Sequence, residues 1–485
     1  MASSPELSTL NCSAFDSNTT LNFTLPPLDY SLADTYKVVA GSLVFLFILP
    51  FVLFEFSFFP IGASSAILLG AVLMVATTVL NQRDFYDIIG EDGNLRTIFL
   101  LLGMMIISQY FEREHIIHKM MNKMLKNDIS FPGYLWRVNM LSFIVAALFT
   151  NDAACIILTP LVLRHWCSQD RPTVELETLT LAISTSANIG SVITIFGNPQ
   201  MALIASTTEE PVFLKSQLDL QRSITYLGIP AVIGYFLNLA FLVAHFQLNA
   251  SYRLCNKPVA LAVEVDAASS SEADVKGKSR VFLWLPLLVL IVMLVLFFVK
   301  TDDFRFDIGI LPMAASALIM TADAVLNKTN PSRLIMKVDW NVILMFFGIF
   351  VWLGGVNATR VPRYVWEAIG LAGHPINDAK TIATFSAFVI FGSNIFSNVP
   401  LTIIVLEQLQ PCADQLELVL YLAWCSTIAG NLTLFGSVAN IIVAQKSKQT
   451  LNIPLTFWTF FKYGFLTTLI ITVQGIFIIY GLLRL

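Results

Sequence analysis

Ten stretches of apolar residues, most near twenty long, follow one another between residues 37 and 482. A bilayer core takes about 20 such residues per helix. This succession constrains the chain more than any other feature, because only helices or closed barrels satisfy their own backbone inside lipid. The spans read as 37–58, 61–81, 96–112, 174–206, 225–247, 281–299, 306–327, 340–356, 416–445 and 457–482. Composition agrees: 56% of the 485 residues are hydrophobic and 13% are charged, against about 25% charged in a soluble domain. With a net charge of −4 and no basic tract, nothing points to nucleic acid.

Two further apolar stretches, 131–163 and 379–409, fit poorly as single crossings. Each has a polar break at its centre, TND at 150–152 in the first and SNVP at 397–400 in the second. The arms on either side are too short for a comfortable crossing. A re-entrant hairpin, descending to mid-membrane and returning with a polar tip, fits both better. Pro160 and Pro400 are expected to make the breaks firmer, since proline removes a donor and clashes with the preceding turn.

The halves of the chain resemble each other. AVLMVATTVLN (71–81) aligns with ALIMTADAVLN (317–327), six identities in eleven at an offset of 246. IFLLLG (98–103) aligns with ILMFFG (343–348), and LFTND (148–152) with IFSNV (395–399), at nearly the same offset. ISTSANIGSVITIFG (183–197) aligns more loosely with AWCSTIAGNLTLFG (423–436). The expected fold is therefore an all-α polytopic membrane protein of two repeats, each of about five transmembrane helices plus one re-entrant hairpin. An odd number of crossings inverts the second repeat relative to the first. The expected divisions are a tail (1–35), a first repeat (36–248), a cytosolic linker (249–280) and a second repeat (281–485). Inverted repeats with helices interrupted at equivalent places are the build of secondary transporters.

The first 35 residues hold no lysine or arginine and carry acceptor sequons at Asn11, Asn18 and Asn22. Glycosylation there places the N-terminus outside or in a lumen, in a plasma membrane or endomembrane. Basic residues such as Arg113, Lys119, Lys123, Lys126, Lys276, Lys278 and Lys446 then fall on the inner side, as the positive-inside rule requires. The basic segment 113–128 reads as a helix lying on the inner interface. Ser269–Ser271, in the linker, are exposed candidates for phosphorylation. The six cysteines form no CxxC pair, so neither a zinc site nor a disulfide framework is expected. A GxxxxGK[ST] loop, an HExxH helix and a GxSxG elbow are all missing, which leaves no cofactor and no enzymatic chemistry to expect.

The residues that carry chemistry cluster at the breaks. A carboxyl at membrane depth costs several kcal/mol unless it is paired, hydrated or protonated. Asp152 is such a carboxyl, and low polarity favours its proton-bound form, so it is the candidate proton carrier. An Asp at a helix start also caps it, and both roles can hold together. Thr150 and Asn151 at the first tip are expected opposite Ser397 and Asn398 at the second. Val399 stands where the first repeat has its acid, so the site holds one titratable group. Glycines and prolines interrupt SANIGSVITIFGNPQ (186–200) and STIAGNLTLFGSVAN (426–440). Unwound helix there frees N–H and C=O groups for a ligand. Asn188, Thr194, Asn198, Thr427, Asn431, Thr433, Ser437 and Asn440 complete the candidate substrate-binding set. Glu55, Asp323, Asp339 and Glu407 sit at segment ends and read as interfacial, structural acids.

At FTNDAACIILTPLVL (149–163), SANIGSVITIFGNPQ, SNVPL (397–401) and STIAGNLTLFGSVANIIV (426–443) the chain resembles the ion transporter superfamily. The likeness is to its arsenite permease/NhaD branch, most of all the silicon-efflux type with a citrate transporter-like domain. That resemblance implies proton-coupled secondary efflux of a small oxyacid or anion, such as silicic acid or arsenite. It also implies a homodimer whose hairpin-bearing domains move against a fixed scaffold. By it, Asn151, Asp152, Asn188, Asn198, Ser397, Asn398, Asn431 and Asn440 line the site. The chain departs from the family pattern at Met201, where members often carry asparagine after GNPQ. Relatives also move sodium, sulfate and dicarboxylates. A sodium/proton antiporter and a sodium-coupled anion or dicarboxylate transporter therefore stand as alternatives, and a receptor or scaffold without transport as a third. If the sequons are used, treating the expressed protein with an endoglycosidase should raise its gel mobility. Replacing Asn11, Asn18 and Asn22 together with Gln should remove that response.

Overall fold

The computed structural model describes residues 10–16, 19–25, 31–53, 61–114, 116–125, 130–167, 173–209, 213, 215–249, 284–301, 304–372, 376, 378–409, 414–451 and 455–485. Glu55, Asn18, Ser269–Ser271 and all of the expected linker except Asn249 lie outside these residues. The described tail forms an antiparallel hairpin of β1 (Leu10–Asp16) and β2 (Thr19–Leu25), with Cys12 opposite Phe23. Beyond it the body is helical, apart from the two-residue strands β3 (Lys300–Thr301) and β4 (Phe304–Arg305) in one connection.

The first half runs α1 (Thr35–Leu53), α2 (Ala63–Ala76), α3 (Gln82–Gly90), α4 (Asp92–Arg113), α5 (Ile116–Met124), α6 (Phe131–Leu148), α7 (Asn151–Cys167), α8 (Thr173–Ser191), α9 (Pro199–Thr208) and α10 (Leu220–Leu248). The second runs α11 (Leu285–Phe298), α12 (Ile310–Leu326), α13 (Ser332–Ile335), α14 (Trp340–Ala358), α15 (Val361–Ala368), α16 (Ala379–Phe396), α17 (Asn398–Leu406), α18 (Leu416–Ala429), α19 (Val438–Leu451) and α20 (Phe457–Leu482). Among the described residues, seven helices are long and apolar enough to cross a bilayer: α1, α4, α6, α10, α14, α16 and α20. Four shorter apolar helices, α2, α11, α12 and α18, accompany them. The chain is a multi-pass membrane protein.

The expected breaks are present. The stretch 131–163 divides into α6 and α7, and 379–409 into α16 and α17. The spans 174–206 and 416–445 divide into α8 with α9 and α18 with α19. Pro160 does not sharpen the first break, which falls at Phe149–Thr150, while α7 runs unbroken through the proline. Ring closure removes one N–H in mid-helix, a loss that the turns on either side carry. Pro400 does stand in the first turn of α17, where its missing N–H would have had no partner. The basic segment forms α5, with Ile117 and Met121 buried four residues apart and Lys119 and Lys123 exposed, an amphipathic helix as expected.

Packing exchanges elements between the halves. Helix α2 lies along α14, and α4 lies along α12. Glycine makes both approaches close: a methyl on Gly348 would press on Ile67, one on Gly70 on Trp352, and one on Gly103 on the Pro312 backbone. Small residues bring helix axes together where lipid supplies no hydrophobic drive between them. At its end the α4–α12 seam is closed by charge. Arg113 donates to both carboxylate oxygens of the fully buried Asp323, at 2.6 and 3.0 Å, and Asn327 donates to the same group at 2.8 Å. The Arg113 guanidinium also lies over the Tyr110 ring, 4.6 Å from its centre. Asp323, read from sequence as a structural acid, is one. Asp323→Ala leaves Arg113 part-buried without its bidentate partner, at a cost of about 3–5 kcal/mol. Thermal unfolding in detergent should register that loss, and Asp323→Asn should lose less.

Candidate substrate site

Each tip begins a helix, α7 at Asn151 and α17 at Asn398. At the first, the Thr150 hydroxyl accepts from Ala153 N–H at 3.1 Å and Asn151 Oδ1 accepts from Asp152 N–H at 3.0 Å. Side-chain oxygens thus meet the free amides that any helix start leaves behind. At the second, Ser397 turns the chain with φ 74°, a region that a side chain disfavours and that surrounding structure must enforce.

The broken helices pack behind these tips in matching ways. The Thr194 hydroxyl donates to the Ala147 carbonyl at the end of α6, at 2.8 Å. Its counterpart Thr433 donates to Asn394 Oδ1 near the end of α16, at 2.7 Å. Asn198 caps α9 by accepting from Met201 N–H at 2.8 Å, and donates to Ser191 Oγ and Thr427 Oγ1. The departure at Met201 therefore falls on a residue whose backbone is engaged and whose side chain is buried. The Asn151 amide N–H donates to the Gly197 carbonyl at 2.9 Å, tying tip to break. A side chain on Gly197 would collide with the Ser191 carbonyl.

Asn188 joins these parts. Its Oδ1 accepts from Asn151 Nδ2 at 3.0 Å and from Ser437 Oγ at 3.2 Å. Its Nδ2 donates to Asn431 Oδ1 at 2.8 Å and Asn440 Oδ1 at 3.0 Å. Asn440 in turn donates to the Gly430 and Thr433 carbonyls, and Asn431 to the Thr185 carbonyl. One buried amide thus links the first tip, the first break and the second break.

In front of this network lies a cavity of about 250 Å³. Its polar lining includes Asn151, Asp152, Gln200, Ser397, Asn398 and Ser437. Helices α2, α7, α9, α14, α17 and α19 all begin at its wall. Their N-termini are positive dipole ends, which favour an anion or an oxygen-rich ligand. Asn398 is 5% exposed, and its Oδ1 has no hydrogen-bond partner. A second cavity of about 520 Å³ adjoins the first and includes Thr150, Asp152, Glu112, Gln109 and Lys337 in its wall. Asp152 lines both. Among the described residues none donates a hydrogen bond to its carboxylate.

Of the sequence-derived candidates, Asn151, Asp152, Ser397, Asn398 and Ser437 reach the smaller cavity and Thr150 the larger. Asn188, Asn431 and Asn440 form the amide network, while Thr194, Asn198, Thr427 and Thr433 bind breaks and tips together. These seven line neither of the two cavities. Sequence reasoning missed Asn394, Gln200 and Asp339. Asn394 had a signal, since it stands in the polar break region four residues before Asn398. Asp339 had none beyond its place before a span.

A multi-pass chain that gathers two hairpin tips and two broken helices around an internal cavity is a membrane transporter. Residues 44–418 match the citrate transporter family, CitMHS, and the chain belongs to that family. It is 27% identical to the silicon efflux transporter LSI3 of Oryza sativa subsp. japonica, over 92% of this chain and 98% of that one. It is 24% identical to the putative transporter arsB of Dictyostelium discoideum, over 86% and 87% of the two chains. The crystal structure of the Alcanivorax borkumensis YdaH transporter matches in fold, with a TM-score of 0.53 at 10% identity, over 93% of this chain and 98% of that one. Asn188→Ala leaves buried amides and hydroxyls on both halves unpaired, each at about 1–3 kcal/mol. The variant should melt earlier than wild type, and Asn188→Asp, which keeps the acceptor and loses the donors, should also melt earlier.

Proposed function

We propose that the chain is a secondary transporter of two inverted repeats that exchanges protons for a small oxyacid or anion, such as silicic acid or arsenite, in the direction of efflux. The single observation that carries this reading is Asp152, a carboxylate lining both cavities with no hydrogen-bond donor among the described residues. A bare carboxylate on a moving tip resists passage through a low-polarity barrier by several kcal/mol. It passes when a proton neutralises it, or when a bound ligand offers it hydroxyl donors. Alternation between these two states is exchange.

The lining supports the ligand class. Six helices begin at the wall of the smaller cavity, and their positive dipole ends favour oxygen-rich ligands there. Asp152, and Asn398 through its unpartnered Oδ1, accept from hydroxyl groups. A small oxyacid carries both kinds of group on one centre. Likeness to a protein named as a silicon efflux transporter agrees with this class.

The test is flux in proteoliposomes across a panel of silicic acid, arsenite, sulfate and dicarboxylates, with and without a pH gradient. One oxyacid should move in response to the gradient, and Asp152→Asn should abolish that response while retaining the melting temperature of the wild type. Full gradient-driven flux in Asp152→Asn overturns the role of the carboxyl. Flux that follows a sodium gradient and ignores pH replaces the proton reading with the sodium one.

A further inference from the structure

The wall of the smaller cavity holds one long polar side chain that the amide network does not use. Gln200 is the second residue of α9, 3% exposed, and it lines the 250 Å³ cavity. Among the described residues nothing forms a hydrogen bond with its side-chain amide. The other side chains of NPQM (198–201) are committed elsewhere or apolar. Asn198 caps α9 and donates to Ser191 and Thr427, and the Met201 side chain is fully buried. Among the described polar side chains of the first break, Gln200 alone lines the cavity. In the same wall Asn398, 5% exposed, has an Oδ1 without a partner. Two buried amides short of partners mark a place where partners arrive from outside the protein.

The full charges in that wall are of one sign. Asp152 and Asp339 line the smaller cavity, and among the described residues no lysine, arginine or histidine does. In the larger cavity Lys337 is set against Glu112, Asp152 and Asp339. An anion leaving water for the smaller space meets two acids and no base, and has helix ends alone to hold it. Each end counts for about half a charge, and Asp152 and Asp339 stand at two of the six. An uncharged molecule with several hydroxyls gives up much less hydration on entry. Its oxygens suit the helix ends, and its O–H groups suit the acceptors.

We propose that Gln200 is a binding residue of the transport site, and that the site selects an oxyacid in its uncharged, fully protonated form. This rests on the exchange reading above and narrows its ligand from oxyacid or anion to the neutral acid. Asp152 and the Asn398 Oδ1 accept from hydroxyls of the ligand. The Gln200 amide donates and accepts at once, so its Nε2 meets one ligand oxygen and its Oε1 takes a further hydroxyl. An oxyanion such as sulfate has the oxygens without the hydrogens. It sets its charge against Asp152 and leaves the Asn398 Oδ1 unmet, and the site rejects it on both counts.

The experiment pairs flux in proteoliposomes with thermal unfolding in detergent, for wild type, Gln200→Met and Gln200→Asn. Monomeric silicic acid and arsenite serve as probes that are uncharged at neutral pH, and sulfate as the tetrahedral anion. A neutral acid should raise the melting temperature of the wild type, and sulfate should neither raise it nor compete for flux. Gln200→Met keeps the length and loses both polar atoms. Its KM for the transported acid should rise about tenfold, the worth of one hydrogen bond to a ligand, while its melting temperature without ligand stays near wild type. Gln200→Asn keeps the amide but falls short, and its KM should rise as well. A wild-type KM in both variants overturns the role of Gln200 and leaves exchange intact, as does a lower melting temperature with KM unchanged. Sulfate that competes as well as silicic acid overturns selection of the uncharged form. Protection by a neutral acid that depends on Gln200, with no flux driven by pH, overturns the exchange reading and upholds this one. If no neutral acid protects or moves, both fall.

Discussion

A chain that interrupts helices inside lipid must find partners for every amide and carbonyl it frees, because no water is there to supply them. Four interruptions occur here, and their freed groups meet within one buried region. Thr150, Asn151 and Asn198 satisfy helix starts with their own side chains. Asn440 and Asn394 satisfy the carbonyls left at the second break. Asn188 then holds these local solutions to one another across the two halves of the chain. The cavity exists because the breaks are propped from behind and leave their helix N-termini pointing at a common space.

The same requirement explains why asparagine dominates the region. An amide donates and accepts at once, so a few side chains can close a network without burying net charge. A carboxylate in such a place stands out by contrast. Asp152 sits where the network ends and open volume begins, and it is the one acid in the two tip triplets 150–152 and 397–399. A second buried cluster, formed by Asn139, Thr185, Ser186, Asn238 and Tyr463, binds α6, α8, α10 and α20 together.

Much of this was legible in the chain. Apolar length set the spans, and a polar triplet inside an overlong apolar stretch set the hairpins. Two glycine- and asparagine-bearing segments in equivalent places located the breaks. What failed to show was the layering of the site. Asn188 and Asn398 are alike as letters, yet one is fully engaged and the other has a buried Oδ1 without a partner among the described residues. Pro160 looked like a break because proline usually is one, but it lies inside a helix that continues to Cys167. Asp339 looked like a cap, and is one. It also lines both cavities that Asp152 lines, a placement that no local pattern encodes.

The exchange of helices between the halves bears on how the molecule is made. Ser64 at the start of α2 donates to the Asn341 carbonyl at the start of α14, 277 residues later in the chain. During synthesis α2 therefore enters the bilayer long before its packing surface exists. Gly70 and the residues around it wait without Trp352, and Arg113 waits for Asp323. The first half is left with an unfilled groove along α2 until the second has been threaded.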